Sequence, residues 1–394
     1  MKFLTRTIIL LSVISLFTDL ASEMLYPIMP VYLQSIGFSV LLIGILEGIA
    51  EGIAGLSKGY FGKLSDTIGQ RRPFIQIGYS ISALSKPMLA LFSSVYWIFI
   101  CRSMDRVGKG IRTAPRDAML SAESTPQNKG KVFGFHRGMD TLGAVLGPAF
   151  ALLILYFYPS QYKLIFLIAF IPGALAIISG FFIHEKQSAE KPKAYPSFLS
   201  FFNYLKNSRP DYKNALIPIL LFALINSSDM FLLLKAKQSG ASDLNVIVLY
   251  IIYNLIYVLL SFPMGALADK IGIKTTYAIG LLLFSLTYIG LGFCNQLSQM
   301  VIIFVIYGAF AAMNDGLAKA WISNTIPKEE AATALGTMTA FQSICTMLSS
   351  AIAGFIWIKW GSEVLFFLTG GSAIIITLII IGLNNLKPKR ILHY

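Results

Sequence analysis

Arg102, Asp105, Arg106, Lys109, Arg112 and Arg116 recur every three or four residues within a stretch that is otherwise apolar. On a helix, at about 100° per residue, they fall in one arc roughly 120° wide. A face so rich in cations can hold an anionic ligand, or it can pair with carboxylates. Carboxylates stand nearby in the same kind of surroundings. Asp19 and Glu23 are four residues apart, as are Glu47 and Glu51, whose narrow face also carries Lys58. His136 and Asp140 are four apart as well, with Arg137 between them. A carboxyl held among apolar walls loads a proton more readily than one in water. The chemistry on offer is therefore anion binding and proton movement. Bond-making chemistry has little support: no HExxH, GxSxG or G-x-x-x-x-G-K-[ST] occurs. Cys101, Cys294 and Cys345 form no CxxC, so neither a disulfide framework nor a redox pair is expected. His136, His184 and His393 cannot build a zinc triad without carboxylate help. The chain is read as having no catalytic residues, no metal and no cofactor.

The elements that position these charges must be membrane helices. Of the 394 residues, 56% are hydrophobic and only 13% charged, against about 25% charged in ordinary soluble domains. The 29 Phe and 18 Tyr fit a chain whose outside is lipid. Twelve apolar stretches can each cross a bilayer, which takes roughly 20 residues. They cover about 7–33, 41–62, 74–93, 95–120, 132–157, 164–183, 215–236, 247–268, 275–294, 300–325, 333–357 and 364–386. Asp19 and Glu23 interrupt the first, which is also too long for a signal peptide. Pro27 and Pro30 bend it or end it.

The net charge of +13 would suggest nucleic acid in a soluble protein. Its distribution points elsewhere. With the N-terminus inside, nineteen Lys and Arg fall in inner segments, among them Lys63, Arg71, Arg72, Lys129, Lys131, Lys270, Lys274 and Lys328. Only Lys163, Lys237 and Lys359 fall in outer loops. This is the positive-inside pattern. It predicts a multi-pass membrane protein with both termini cytoplasmic, its basic rim resting on lipid and not on nucleic acid. The short outer loops, and the position of the N-x-[ST] sequon Asn226-Ser-Ser228 inside a span, point to a prokaryotic inner (plasma) membrane. The domains expected are a six-helix bundle over 1–184, a cytoplasmic linker over 185–214 with a short surface helix near 197–205, and a second six-helix bundle over 215–394.

One motif occurs twice. Gly62-Lys-Leu-Ser-Asp66-Thr-Ile-Gly69-Gln-Arg71 matches Gly265-Ala-Leu-Ala-Asp269-Lys-Ile-Gly272-Ile-Lys274, each copy at the inner end of the second span of its half. Two copies at equivalent places indicate duplicated halves. The pattern G-x-L-a-D-x-x-G-x-[RK], the span count and the linker together resemble the major facilitator superfamily over essentially the whole chain. The resemblance implies an all-α membrane protein: twelve transmembrane helices as two pseudo-symmetric six-helix bundles around a central cavity. Spans 1, 4, 7 and 10 would line that cavity, and rocking of the halves would give alternating access. Arg106-Val-Gly-Lys109-Gly110 is similar to the family's R-x-x-Q-G on span 4, with Lys109 where Gln is usual. Gly143-Ala-Val-Leu-Gly147-Pro148 resembles the core of its antiporter motif on span 5, without the usual following Gly pair. As packing, the same residues would form a Gly/Pro bend.

Fifteen charges lie within the spans of the first half and would together cost on the order of 40 kcal/mol facing lipid. They must face one another, water or a cargo. The proton-coupling candidates are Asp19, Glu23, Glu47, Glu51, Arg106 and Asp140. The substrate-binding candidates are Arg102 and Lys109 from the first half and Asn226, Asp229, Asn314, Asp315 and Lys319 from the second. Gly62, Asp66, Gly69, Arg71, Arg72, Arg112, Arg116, Asp117 and Asp269 are the gating candidates. Gly44, Gly48, Gly52, Gly55 and Gly59 on span 2 suit close helix contact, either as a sliding surface between the halves or as plain packing. The function expected is secondary transport of a small anionic or zwitterionic organic solute by a monomer. Proton-coupled efflux is the first reading and proton-coupled uptake its alternative. A membrane sensor or embedded enzyme is the reading outside transport.

Overall fold

The computed structural model describes residues 4–26, 28–29, 32–33, 36–38, 40–185, 196–198, 201–241, 243–294 and 296–385. Its helices are α1 (Arg6–Glu23), α2 (Val40–Ile68), α3 (Arg72–Met88), α4 (Val95–Ala122), α5 (Lys129–Phe157), α6 (Tyr162–Ile168), α7 (Phe170–Phe181), α8 (Phe201–Asn207), α9 (Pro210–Ala223), α10 (Met230–Gln238), α11 (Asp243–Ile271), α12 (Ile273–Phe293), α13 (Leu297–Ser323), α14 (Ala331–Trp360) and α15 (Ser362–Asn385). Among the described residues there is no strand. α6 with α7 forms span 6, and α9 with α10 forms span 7, so the chain has the twelve-span architecture. α1 stops at Glu23, ahead of Pro27 and Pro30, which lie outside the described residues with the segment 386–394.

Helices start where the sequence supplies a cap or a proline. Thr5 Oγ1 accepts from the Ile8 amide at 3.3 Å, and Ser94 Oγ from the Trp97 amide at 3.3 Å. Pro210 opens α9. Among the described residues, seven elements are long and apolar enough by composition to cross a bilayer: α5, α6 with α7, and α11 through α15. The remaining spans carry the buried charges or, in span 7, a break. The outer surface is apolar in the way lipid requires, with Tyr96, Tyr156, Phe293 and Ile358 fully out.

In the first half α1 packs on α5 and α7, and α4 packs on α2 and α3. In the second half α12 packs on α13 and α15, and α11 on α13. Two seams join the halves, α2 against α14 and α5 against α11. Glycines set both seams at the end that carries the repeated motif. A Cβ on Gly62 would lie 2.3 Å from the Ala332 carbonyl oxygen, and one on Gly265 would lie 2.2 Å from that of Gly130. Further along, Gly134 meets the Ser261 carbonyl and Gly55 meets the Ser343 side chain. The span 2 glycines 55, 59 and 62 thus face the other half or the linker; Gly52, deeper along α2, has nothing within 4 Å. The molecule is shut at the motif end and opens into a cavity beyond it.

The linker helix α8 lies across the closed α2–α14 seam. The Phe201 ring fills the space left by Gly59, the Phe202 ring meets Phe341 edge-on at 5.2 Å, and Tyr204 Oη donates to Glu330 at 2.9 Å. The short surface helix expected near 197–205 is thus present at Phe201–Asn207 and touches both halves.

Candidate functional site

The repeated motif forms two interlocks. Gly69 and Gly272 both have left-handed backbones, φ +72° and +100°, which explains glycine at that place in each copy. The turn at Gly69 is closed by Glu185, whose carboxylate accepts from the Arg71 and Arg72 amides at 2.7–2.9 Å. Each motif aspartate then reaches a helix start in the opposite half. Asp66 Oδ2 accepts from the Thr333 amide at 2.6 Å and its hydroxyl at 2.8 Å, at the start of α14. Asp269 accepts from the Gly130 and Lys131 amides at 2.8 and 3.0 Å, at the start of α5. A carboxylate suits the unpaired amides and the positive dipole end found there. Arg71 bonds Asp66 at 3.2 Å and extends to the Lys328 carbonyl at 2.8 Å. Arg72 stays in its own half, on the Phe181 carbonyl.

The arc on α4 is sorted by its neighbours. Asp105 accepts from Lys86 Nζ at 3.1 Å and from the Ser82 hydroxyl, all within the first half. Arg112 lies over the Tyr79 ring at 4.6 Å, also within that half. Arg116 bonds Asp117 at 3.0 and 3.1 Å and donates to Ser15 Oγ at 2.8 Å. The interactions of Arg112, Arg116 and Asp117 thus run to partners other than Asp66, Arg71 and Arg72 among the described residues. All six residues of the arc line a cavity of about 350 Å³, together with Asp19, Glu23 and Asp229.

Asp140 is the hub of that cavity's floor. It accepts from Ser15 Oγ at 2.6 Å and from Arg137 at 2.6 Å, stands 4.0 Å from Arg116, and lines the same cavity as Asp19. Gly143 and Gly147 let α1 approach α5 closely. Side chains there would strike the α1 backbone, 2.6 Å from the Leu16 oxygen and 2.8 Å from the Leu20 oxygen. The Gly143–Pro148 stretch thus brings α1 and its two acids against α5.

Among the described residues, two ion pairs cross between the halves in opposite senses. Arg137 reaches Asp315 on α13 at 2.9 Å, and Tyr257 Oη joins them at 2.5 and 2.6 Å. Lys319, one turn further along α13, reaches Asp117 on α4 at 2.7 Å. The first pair is wet, its side chains 36% and 45% exposed to the cavity; the Asp117 carboxylate is fully buried. Lys58 adds a bond from α2 to Ser343 of α14 at 3.3 Å.

On the opposite wall span 7 loses its helix between α9 and α10. Irregular backbone at membrane depth is tolerated where it lines a cavity. Asn226 and Asp229 lie in this break. Asp229 accepts from Tyr307 Oη at 2.6 Å and from Tyr253 Oη at 3.3 Å. A second, larger lobe of about 810 Å³ is lined by Asn226, Asn314, Asp315 and Lys319. The side chains of Glu47 and Glu51 lie outside the described residues. Ser15, Lys86, Tyr253, Tyr257 and Tyr307 do not figure among the sequence candidates, yet each holds one of these charges. The 250–253–257 tyrosine spacing on one face of span 8 is the signal for three of the cavity wall.

The comparisons with known proteins agree with this architecture. The model of the Major Facilitator Superfamily matches residues 11–242 and again 230–392. An MFS-type transporter of Methanocaldococcus jannaschii is 34% identical over 96% of this chain and 95% of its own length. A multi-drug resistance efflux pump PmrA homolog of Lactococcus lactis is 22% identical, with 86% of each chain covered. Among solved structures, the human organic anion transporter MFSD10 superposes with a TM-score of 0.82 at 16% identity, covering 95% of this chain and 99% of that one. It carries the fold alone. With twelve spans, a duplicated interlock and a charged central cavity, this multi-pass membrane protein belongs to the major facilitator superfamily, a family of transporters and not of enzymes.

Proposed function

We propose that the protein exports a small organic anion or zwitterion in exchange for protons, across a prokaryotic inner membrane, with the interlocked end and both termini facing the cytoplasm. It works as a monomer on its small-molecule cargo, protons and the surrounding bilayer, without nucleic acid. The two bundles, 1–184 and 215–394, rock about the α2–α14 and α5–α11 seams, with 185–214 as the cytoplasmic linker. The observation that carries the reading is the shared cavity of about 350 Å³ in which Arg102, Arg106 and Lys109 face Asp19 and Glu23. The cations suit the cargo's anionic group. Asp19 and Asp140 suit the proton, because two carboxyls lining one cavity at membrane depth favour keeping one of them neutral. Arg137 ties that pair to Asp315 of the other half. Closure at the far end would break or remake this tie as the proton comes or goes. The wet Arg137–Asp315 pair contributes only about 0–1 kcal/mol, so it can switch without locking the molecule. The directly buried Lys86–Asp105 and Arg116–Asp117 pairs hold the scaffold.

Efflux rests on the Gly143–Pro148 stretch and on the efflux-pump homolog from L. lactis. One observation favours uptake as the second reading. The same cations serve both carboxylates and cargo, so protonating Asp19 would make the cavity more positive and draw an anion in with the proton. The test is paired assays in vesicles containing the purified protein. Asp19→Asn should keep cargo exchange at zero pH gradient and lose accumulation driven by a gradient. Arg106→Gln should lose both. Equal loss of exchange and accumulation in Asp19→Asn would place Asp19 with the cargo instead of the proton.

A further inference from the structure

The larger lobe differs in chemistry from the cationic one. Leu56, Phe133, Phe222, Met338, Ile344 and Met347 give it an apolar wall. Into that wall are set polar atoms with no protein partner. Asn314 is only 2% exposed, and its Oδ1 has no hydrogen bond. His136 is 3% exposed; its Nδ1 meets Ser12 at 3.4 Å and its Nε2 is unpartnered. Asn226 Oδ1, in the break of span 7, is also buried and unpartnered.

The Asn314 amide is held, not loose. Its Nδ2 donates to the Phe310 carbonyl at 3.1 Å and fills the space beside Gly280, where any Cβ would come within 2.1 Å. That anchoring leaves the oxygen as the free acceptor. A buried acceptor without a donor is costly, and native structures seldom leave one without a purpose. Here Asn226, Asn314 and His136, each with one buried and unpartnered polar atom, line one lobe with a largely apolar wall. Lys58, Arg137, Asp140, Lys319 and Thr339 line both lobes, so a single elongated ligand can pass from one to the other beside the Arg137–Asp315 pair.

We infer that the cargo is an amphipathic organic anion with a hydrogen-bond donor on its apolar part: the anionic group sits at the α4 cations, and the donor, a hydroxyl or amine, reaches Asn314 Oδ1 and Asn226 Oδ1 in the larger lobe. This rests on the transport reading and narrows it to a substrate class. His136 Nε2 offers a third contact, as donor or acceptor according to its tautomer. A site with unpaired acceptors discriminates strongly against an analogue that lacks the donor.

The test is calorimetric titration of the full-length protein in lipid nanodiscs with four probes: phenylbutyrate, its para-hydroxy and para-methoxy derivatives, and the para-hydroxy compound as its neutral amide. The para-hydroxy acid should bind about tenfold more tightly than phenylbutyrate or the methoxy compound. The neutral amide should lose about tenfold against its acid. In Asn314→Ala and in Asn226→Ala the hydroxy-to-methoxy ratio should shrink to about twofold or less. A ratio near one in the unaltered protein overturns the inference, as does a ratio that persists in both variants. If phenylbutyrate binds and is transported but the hydroxyl adds nothing, this inference fails and the transport reading stands. If none of the four binds, the inference fails together with the anionic-cargo reading.

Discussion

Asp117 is the residue whose loss the molecule should feel most. Its carboxylate is fully buried and answers two cations, Arg116 at 3.0 Å and Lys319 at 2.7 Å, one from each half. Removing one member of a buried pair leaves the other uncompensated, at about 3–5 kcal/mol. Asp117→Asn should therefore lower the thermal midpoint in detergent by several degrees, and adding Lys319→Met should recover much of that loss. A double variant no more stable than the sum of the single losses would show that the two residues do not act as a pair. By the same reasoning Asp315→Asn, at a pair wet on both sides, should leave the midpoint almost unchanged. Part of this was legible in the sequence. The spacing of Arg102 through Arg116 placed them on one face, and Asp19, Glu23 and Asp140 stood out as carboxyls at membrane depth. Partnership was not legible, because it depends on which helices touch. Nothing local says that Asp105 belongs to Lys86, or that Arg137 reaches Asp315 across 178 residues of chain. The 29 Phe and 18 Tyr fit a chain whose outside is lipid, but composition places no single tyrosine. Tyr253, Tyr257 and Tyr307 are instead buried, with their hydroxyls on Asp229, Asp315 and Arg137.

Helix contact at the motif end depends on glycine in both seams. Gly62 and Gly265 occupy matching positions of the repeated motif, and each sits against a carbonyl of the other half closer than any Cβ could. A valine at either place must push the seam apart, because the obstacle is backbone and cannot rotate away. Spin labels at Gln127 and Glu329, on opposite halves of that end, would report the separation. In Gly62→Val and Gly265→Val the distance distribution should shift to longer values; an unchanged distribution would mean that these contacts do not hold the end shut. The repeat and its glycines were visible in the sequence because a turn demands a left-handed backbone at Gly69 and Gly272. What Asp66 and Asp269 do was visible only in part. A carboxylate at a helix start is a local expectation, but the helix each one caps belongs to the other half. The break in span 7 was hidden for a different reason. Leu224 through Asp229 contains no proline or glycine, and only its Asn-Ser-Ser-Asp run hinted at polar backbone partners such as Ser350.

Across the whole molecule, charge is divided unevenly: the first half brings most of the membrane-depth ions, and the second brings amides, tyrosines and a few acids. The halves meet through interlocks at one end and enclose two joined lobes beyond it. Alternating access needs such an arrangement, with a seam that can open at the interlocks while the far side closes over the lobes. The twelve spans and the duplication were legible from hydropathy and the motif, since both follow from the bilayer's thickness and the twofold repeat. The two lobes were not, because a cavity is the space that packing leaves. The central claim is that cargo and proton movements are coupled through Asp19 and its neighbours. Internal pH in sealed vesicles containing the purified protein, recorded while organic anions, zwitterions and cations are added in turn, tests this most directly. A cargo-dependent proton flux is expected, opposite in direction to the cargo and abolished by Asp19→Asn. A flux in the same direction as the cargo would reverse the assignment from efflux to uptake. Cargo movement that ignores the pH gradient, with no proton flux for any compound, would contradict the coupling itself.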